Sequence, residues 1–339
     1  QLRRLGLFFP PAPGSSDVAT IGGMVANNAS GMRAVKYGVT RDYVQSLKVV
    51  LADGTVVRLG SDAKKTTSGY DLKSLFVGSE GTLGITTEIT LRLVGLPEAV
   101  GVVVAAYDEL EGATNSVYET VRYGLNPSAI EILDAETVRV TNEQQGLSLA
   151  IKPTLFVEFH GTEASVQEQL GFLREICEDN GCATFQETVS DEEREYLWKA
   201  RKEAHDSIKF SNPGKTMVSG DVCVPISRFG EMFPFVHDLA RQLDLKIYAF
   251  GHAGDGNMHT ETIADRSDPD EFARAHRATE AIVRRALEVG GTVAGEHGIG
   301  RAKREFLEEE HGASVALMRQ IKQIFDPRGI MNPGKIFDD

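Results

Sequence analysis

The stretch Gly251-His252-Ala253-Gly254-Asp255-Gly256-Asn257-Met258-His259 sets two imidazoles seven positions apart among glycines, an aspartate and an asparagine. A strand-like run, Leu245 to Phe250 (LKIYAF), leads straight into it. On a straight strand, residues seven apart face opposite ways. The glycines relax that constraint, because they turn sharply without a Cβ penalty. The spacing therefore predicts a curl that returns His259 to the side of His252. Two converging imidazoles suit zinc, iron or manganese. Gly295-Glu296-His297-Gly298-Ile299-Gly300 offers a third donor, Glu296, after the apparent strand Thr292-Val293-Ala294. Two histidines and one carboxylate leave coordination positions open, as a catalytic metal requires. His297 then remains available as a base. Either motif by itself reads better as a tight turn with a satisfied histidine. Their pairing, each after a β-type run, is what argues for a metal site.

A second signal lies near the start. Pro13-Gly14-Ser15-Ser16, then Thr20-Ile21-Gly22-Gly23-Met24-Val25-Ala26-Asn27-Asn28 and Gly31, put bare backbone beside the start of a short helix. Such a segment can direct N–H groups at a pyrophosphate, helped by the helix dipole. It contains neither GxGxxG nor GxxxxGK[ST], so it is neither a Rossmann fingerprint nor a P-loop. Gly78-Ser79-Glu80-Gly81-Thr82-Leu83-Gly84-Ile85 is another glycine-laced turn before a strand. On the residues alone, both read as well as tight turns of a β-rich region.

The elements that must position these groups follow from periodicity. Val44 to Leu51 and Val56 to Leu59 flank Asp53-Gly54 and read as a hairpin. Gly84 to Val94 alternates as a strand with one solvent-facing side. From about Val100 the texture shifts to longer strands and amphipathic helices: strands at 100–107 and 154–160, and helices at 109–123 and 163–180. A further helix is expected with Ser227 as its cap, another from the Asp268 cap to Gly290, and a last one over Ser314 to Phe325. This alternation suggests an α+β layer, a sheet with helices on one face.

Composition bounds the rest. The 339 residues suffice for two domains. A net charge of -13 with no basic cluster argues against nucleic acid but leaves room for a small anion held by a few buried cations. No apolar run approaches the ~20 residues of a membrane-spanning helix. Cys177, Cys182 and Cys223 lack metal-finger or redox spacing and read as reduced thiols. The first residues, Gln1-Leu2-Arg3-Arg4-Leu5-Gly6, look like the end of a helix, so a preceding segment is expected.

In order along the chain stand TIGGMVANNASG, VKYG (35–38), GYDLKSLFVGSEGTLGITTEITLRL (69–93), GHAGDGNMH, GEHGIG and DPRGIMNPGKIF (326–337). Together they resemble the FAD-linked D-2-hydroxyacid dehydrogenases, the D-lactate, glycolate and D-2-hydroxyglutarate dehydrogenases within the vanillyl-alcohol-oxidase flavoprotein superfamily. The resemblance covers nearly the whole chain. It implies an α+β fold: part of a split FAD-binding domain over 1–95, a cap domain with an antiparallel sheet over 96–305, and a helix and tail over 306–339 returning to the FAD domain. By motif match, Gly22, Gly23, Asn28, Gly31, Ser79, Gly81, Thr82, Gly84, Ile85 and Asn332 would contact FAD, mostly through backbone. The group carries a further glycine-rich pyrophosphate loop ahead of these motifs. None occurs in these residues, so part of the FAD grip is expected from outside this sequence.

The resemblance further implies oxidation of a D-2-hydroxy acid to the 2-oxo acid, the hydride passing to flavin N5. A divalent metal (zinc, or manganese or iron) on His252, His259 and Glu296 would activate the hydroxyl, and His297 would take its proton. Asn257 would hydrogen-bond substrate. A carboxylate favours a fork-shaped cation, and Arg201, in Leu197-Trp198-Lys199-Ala200-Arg201, stands where the family carries an arginine; Lys215 is a second candidate. Glu131 and Asp134 read as structural. The electron acceptor would be an electron-transfer flavoprotein, a quinone or an iron–sulfur subunit. A homodimer, and a cytoplasmic or mitochondrial-matrix location, fit the sequence. Rival readings are a flavin-free metal hydrolase, a flavoprotein of the same superfamily with other chemistry, and an inactive metal-binding remnant.

Overall fold

The valine-rich run Ala99–Tyr107 is an interior strand because its residues are buried from Gly101 onward, leaving neither side for water. In the computed structural model, which describes residues 1–338, it lies in a seven-stranded sheet. The spatial order is Thr216–Cys223, Asn257–Ala264, Lys246–His252, Ala129–Leu133, Thr154–Gly161, Ala99–Tyr107 and Cys182–Thr188. Every neighbouring pair is antiparallel. Residues 34–36 and 97–292 form this unit; residues 1–33, 37–96 and 293–338 cluster as the other. Residues 293–305 thus group with the amino-terminal segments.

Pleat and register decide what each face of the large sheet carries. A Cβ on Gly101 would meet Val166 and Leu170, so that face is covered by helix Glu163–Asp179. Helices Ile226–Gln242 and Pro269–Glu288 also pack on the sheet. Alternation and the direct pairing of Glu131 with His252 and Asp221 with His259 put those four residues on the opposite face. That face is not left bare of helix, as the sequence pattern suggested: Asp191–Lys202 delivers the Arg201 side chain to it.

In the other unit, Val56–Gly60, Val44–Val50 and Ile85–Leu91 form a three-stranded antiparallel sheet, in that order. The expected hairpin around Asp53-Gly54 is present. Leu47, Val49 and Leu59 pack with Val25, Phe76 and Val77, and Ile321 and Phe325 of helix Ser314–Phe325 close the same core. Asp268 caps its helix as the sequence predicts, accepting from the Asp270 and Glu271 N–H groups. Ser227 does not cap. The helix opens at Ile226 behind Pro225, whose missing N–H and fixed φ suit the helix entrance, and Ser227 falls in the first turn. Among the described residues no helix is long and apolar enough to cross a membrane.

Candidate active site

The curl at 251–259 is a hairpin. Lys246–His252 runs out, Ala253–Asp255 makes one 3-10 turn, and Asn257–Ala264 returns antiparallel. Gly256 sits at φ 80°, and a Cβ there would strike the Val224 carbonyl, so only glycine serves. Register pairs His252 with Asn257 and Phe250 with His259. Both imidazoles therefore point to one face, with ring centroids 5.0 Å apart and planes at 89°. Both are buried.

Each ring has a carboxylate from an adjoining strand on its Nδ1 side, within hydrogen-bond distance at His252 and farther off at His259. Glu131 Oε1 and Oε2 lie 2.7 and 2.9 Å from His252 Nδ1. Asp221 Oδ1 lies 3.8 Å from His259 Nδ1. A carboxylate facing Nδ1 favours the tautomer with its lone pair on Nε2, the state in which imidazole ligates a metal. One nitrogen of each ring lies within 4.8 Å of one on the other, which sets the two rings as neighbouring candidate ligands. Cys223, on the same strand as Asp221, is no competitor: burial, and then the nearby Asp255 and Asp221 carboxylates, push its thiol up to about 12. It stays protonated at neutral pH.

The remaining residues of this unit are placed as follows. Arg201 is buried, its Nε donating to Glu131 Oε2 at 2.5 Å and its Nη2 lying 3.3 Å from His252 Nδ1. Asn257 Nδ2 donates to Asp221 Oδ1 (2.8 Å) and the Val222 carbonyl (2.9 Å), leaving its Oδ1 as an acceptor. Lys215 lies between Asp265 and Glu271, 3.4 Å from each. Asp134 is structural as expected, capping helix Ala135–Gln145 and accepting from the Ala249 N–H. Glu131, read from the sequence as structural, touches both Arg201 and His252. Sequence reasoning missed it and Asp221. The available signal was a lone charged residue within each strand.

The glycine segments of the other unit come together too. The Gly78 and Glu80 N–H groups donate to the Val25 and Ala26 carbonyls at 2.9 and 2.8 Å, tying the 78–85 turn to helix Ile21–Asn27. Gly22 has open space where a Cβ would stand, so its backbone is approachable. Asn28 ends that helix in the left-handed region, φ 52°, its Oδ1 accepting the Arg41 N–H. Gly31, at φ 102°, leaves no room for a Cβ against the Ala12 carbonyl. Ser79 and Thr82 turn their hydroxyls inward, onto the Phe76 and Ser79 carbonyls at 2.8 and 2.7 Å. Gly84 packs tightly on Val49 and Phe76, whereas Ile85 is exposed at the strand start. Asn332 Nδ2 reaches the Glu80 carbonyl, beside Gly81. This set fits a cofactor gripped through backbone rather than side chains.

Glu80, missed by sequence reasoning, organises the GEHGIG turn. Its carboxylate accepts the Ile299 N–H at 2.7 Å and the Gly300 N–H at 2.9 Å. Within that turn Glu296 accepts from Ser30 Oγ at 3.2 Å. His297 Nε2 lies 3.6 Å from Glu296 Oε1, its side chain 54% exposed.

Residues 96–336 match the FAD linked oxidases, C-terminal domain, and residues 1–60 match an FAD binding domain. A probable mitochondrial D-lactate dehydrogenase of Danio rerio is 43% identical over 343 residues, spanning 99% of this chain and 68% of the relative. Glycolate oxidase subunit GlcD of Bacillus subtilis is 39% identical, over 98% of this chain and 71% of the relative. The mitochondrial D-lactate dehydrogenase [cytochrome] of Arabidopsis thaliana is 41% identical, over 99% and 59%. The chain thus spans 59% to 71% of these relatives' lengths. Two solved structures share the fold over 98% of the chain. They are alkyldihydroxyacetonephosphate synthase (TM-score 0.73, 17% identity, 62% of that chain) and 4-ethylphenol oxidase from Gulosibacter chungangensis (TM-score 0.76, 16% identity, 72% of that chain).

Proposed function

This chain belongs to the family of FAD-linked oxidases, and we propose that the protein oxidises a D-2-hydroxy acid to the 2-oxo acid with FAD and a divalent metal. The two substrate classes in its relatives' names, D-lactate and glycolate, are both 2-hydroxy acids. The observation that carries the reading is the hairpin's pair of buried imidazoles, each with a carboxylate on its Nδ1 side. Nothing in a turn's folding requires two such pairs side by side.

In this reading His252, His259 and Glu296 are the metal ligands, zinc being the first candidate and manganese or iron the alternatives. When bound, the metal supplies a Lewis acid for the substrate oxygens and FAD an acceptor, at N5, for the Cα hydride. The chain's own residues do the rest. Arg201 holds the substrate carboxylate, His297 takes the hydroxyl proton, and Asn257 Oδ1 accepts a hydrogen bond from substrate. Gly22, Gly23, Asn28, Gly31, Ser79, Gly81, Thr82, Gly84, Ile85 and Asn332 line the flavin. The electrons leave to a separate acceptor, an electron-transfer flavoprotein, a quinone or an iron–sulfur or cytochrome partner; one relative is named for cytochrome.

The test is dye reduction by the full-length, flavin-loaded gene product with D-lactate, glycolate and D-2-hydroxyglutarate, before and after chelation. Turnover of at least one of these acids, none of L-lactate, and loss on chelation with recovery on adding back zinc or manganese are expected. A flavin-loaded protein that turns over none of the acids would overturn the assignment.

A further inference from the structure

We propose that Glu131 is a positioning residue for two functional groups at once: it fixes the tautomer of His252 and the aim of Arg201, and so sets their spacing. This rests on the metal site and carboxylate-binding role proposed above.

Glu131 is fully buried at 0% exposure, in a strand whose other residues are Ala129, Ile130, Ile132 and Leu133. A carboxylate there, without partners, would cost several kcal/mol. Its partners are specific. Register places Glu131 directly opposite His252, so the contact is built into the ladder rather than left to a mobile loop. Two kinds of neighbour face Nδ1: the Glu131 oxygens at 2.7 and 2.9 Å, which only accept, and Arg201 Nη2 at 3.3 Å, which only donates. The closer carboxylate decides, and Nδ1 carries the proton. Nε2 is then the ligating nitrogen. The same carboxylate takes Arg201 through Nε. That uses the inner edge of the guanidinium and leaves Nη1 outside the contact. The Arg201 carbon Cζ also stands over the Phe250 ring, 5.3 Å from its centroid, which restricts the plane of the fork.

A helix-borne cation and a strand-borne ligand are thereby tied to one anchor. A 2-hydroxy acid places its carboxylate one bond from the carbon bearing the hydroxyl. An enzyme holding both groups needs cation and metal at a fixed separation, and a shared anchor provides it. A structural ion pair alone would account for the contact to Arg201 but not for the carboxylate set against His252 Nδ1.

The experiment uses the full-length gene product, stripped of metal and titrated with cobalt(II) and zinc against a competing chelator. Glu131→Gln keeps the shape and removes the charge. It is expected to weaken metal binding by about 10- to 100-fold, to alter the cobalt visible spectrum and to raise KM for D-lactate. Glu131→Asp should recover part of both. Arg201→Lys should raise KM while metal affinity stays at the wild-type value. Should Glu131→Gln fail to fold, the double variant Glu131→Gln/Arg201→Met removes both members of the ion pair, a change buried pairs tolerate. It should show the same loss of metal affinity. A folded Glu131→Gln or double variant that binds metal as tightly as wild type overturns this inference alone. Wild-type protein that binds neither metal overturns it together with the metal site on which it rests.

Discussion

In the large-sheet unit, the two imidazoles assigned to the metal and the carboxylates beside them are side chains on paired strands: His252 and His259 on one hairpin, Glu131 and Asp221 on the strands flanking it. In the three-stranded unit the hydroxyls of Ser79 and Thr82 are turned inward onto carbonyls, and what the glycine turns present is backbone. A strand fixes where a side chain points, to within a rotamer. A glycine turn fixes where N–H and C=O groups point. The first suits a small cation whose ligands must converge within tenths of an ångström, the second a long, polar cofactor held by many weak contacts. Substitutions should therefore act in opposite ways at the imidazole-bearing strands and at the glycine turns. Side-chain truncation should be severe at His252 and His259 and mild at Ser79 and Thr82, whereas adding a single methyl should be severe at Gly31.

The largest effect expected is from His252→Ala or His259→Ala. Removing a ligand should cost more metal affinity than the roughly 10- to 100-fold typical of losing a ligand's supporting partner. Turnover should fall with it, while flavin absorbance at about 450 nm stays at the wild-type ratio to protein. Metal analysis beside the visible spectrum reads both. Flavin lost in parallel with metal would erase the contrast between the units.

Next comes a paired comparison within the glycine turns. Gly31→Ala sets a Cβ against the Ala12 carbonyl at φ 102°. The strained backbone alone costs on the order of 1–3 kcal/mol, and the collision adds to it. A lower melting temperature and loss of bound flavin are expected. Ser79→Ala deletes a hydroxyl spent on the Phe76 carbonyl. It should cost about 1 kcal/mol and leave flavin bound. A Ser79→Ala protein that loses flavin as readily as Gly31→Ala would show that side chains, not backbone, make the grip.

Much of this arrangement could be read from the sequence because it is local. The run Ala99–Tyr107, the Asp53-Gly54 hairpin and the Asp268 cap each depend on residues within a few positions of one another. The convergence of His252 and His259 is local too, fixed by one glycine turn. Glu131 escaped because its partner is set by register between strands more than a hundred residues apart in sequence. Alternation says that Glu131 is buried; it does not say opposite what. Asp221 escaped for the same reason, paired with His259 across another ladder. Glu80 was legible only as a charged residue in a glycine turn, since its acceptor role depends on the Ile299 and Gly300 N–H groups from the far end of the chain. Ser227 misled because a cap residue and a first-turn residue have the same composition, and Pro225 decided between them.

The smallest effects expected separate the units by the sign of their pH dependence. In the three-stranded unit burial works to raise the Asp326 carboxyl. The Lys322 ammonium and the Met331 and Ile330 N–H groups outweigh it and hold the group below the usual range. A depressed carboxyl contributes stability above its unfolded value of about 3.9 and loses it as pH falls through the folded value. In the large-sheet unit a hydrogen bond to the Glu261 carboxylate raises the His205 imidazole, partly offset by burial. A raised imidazole contributes stability below about 6.5 and loses it as pH rises through the higher folded value. His205 is half exposed, so its share is under about 1 kcal/mol. Melting temperatures across pH 3 to 9, taken as wild type minus variant, should shrink toward acid for Asp326→Asn and toward alkali for His205→Gln. Differences that stay flat with pH in both variants would mean that packing, not charge, holds these two residues in place.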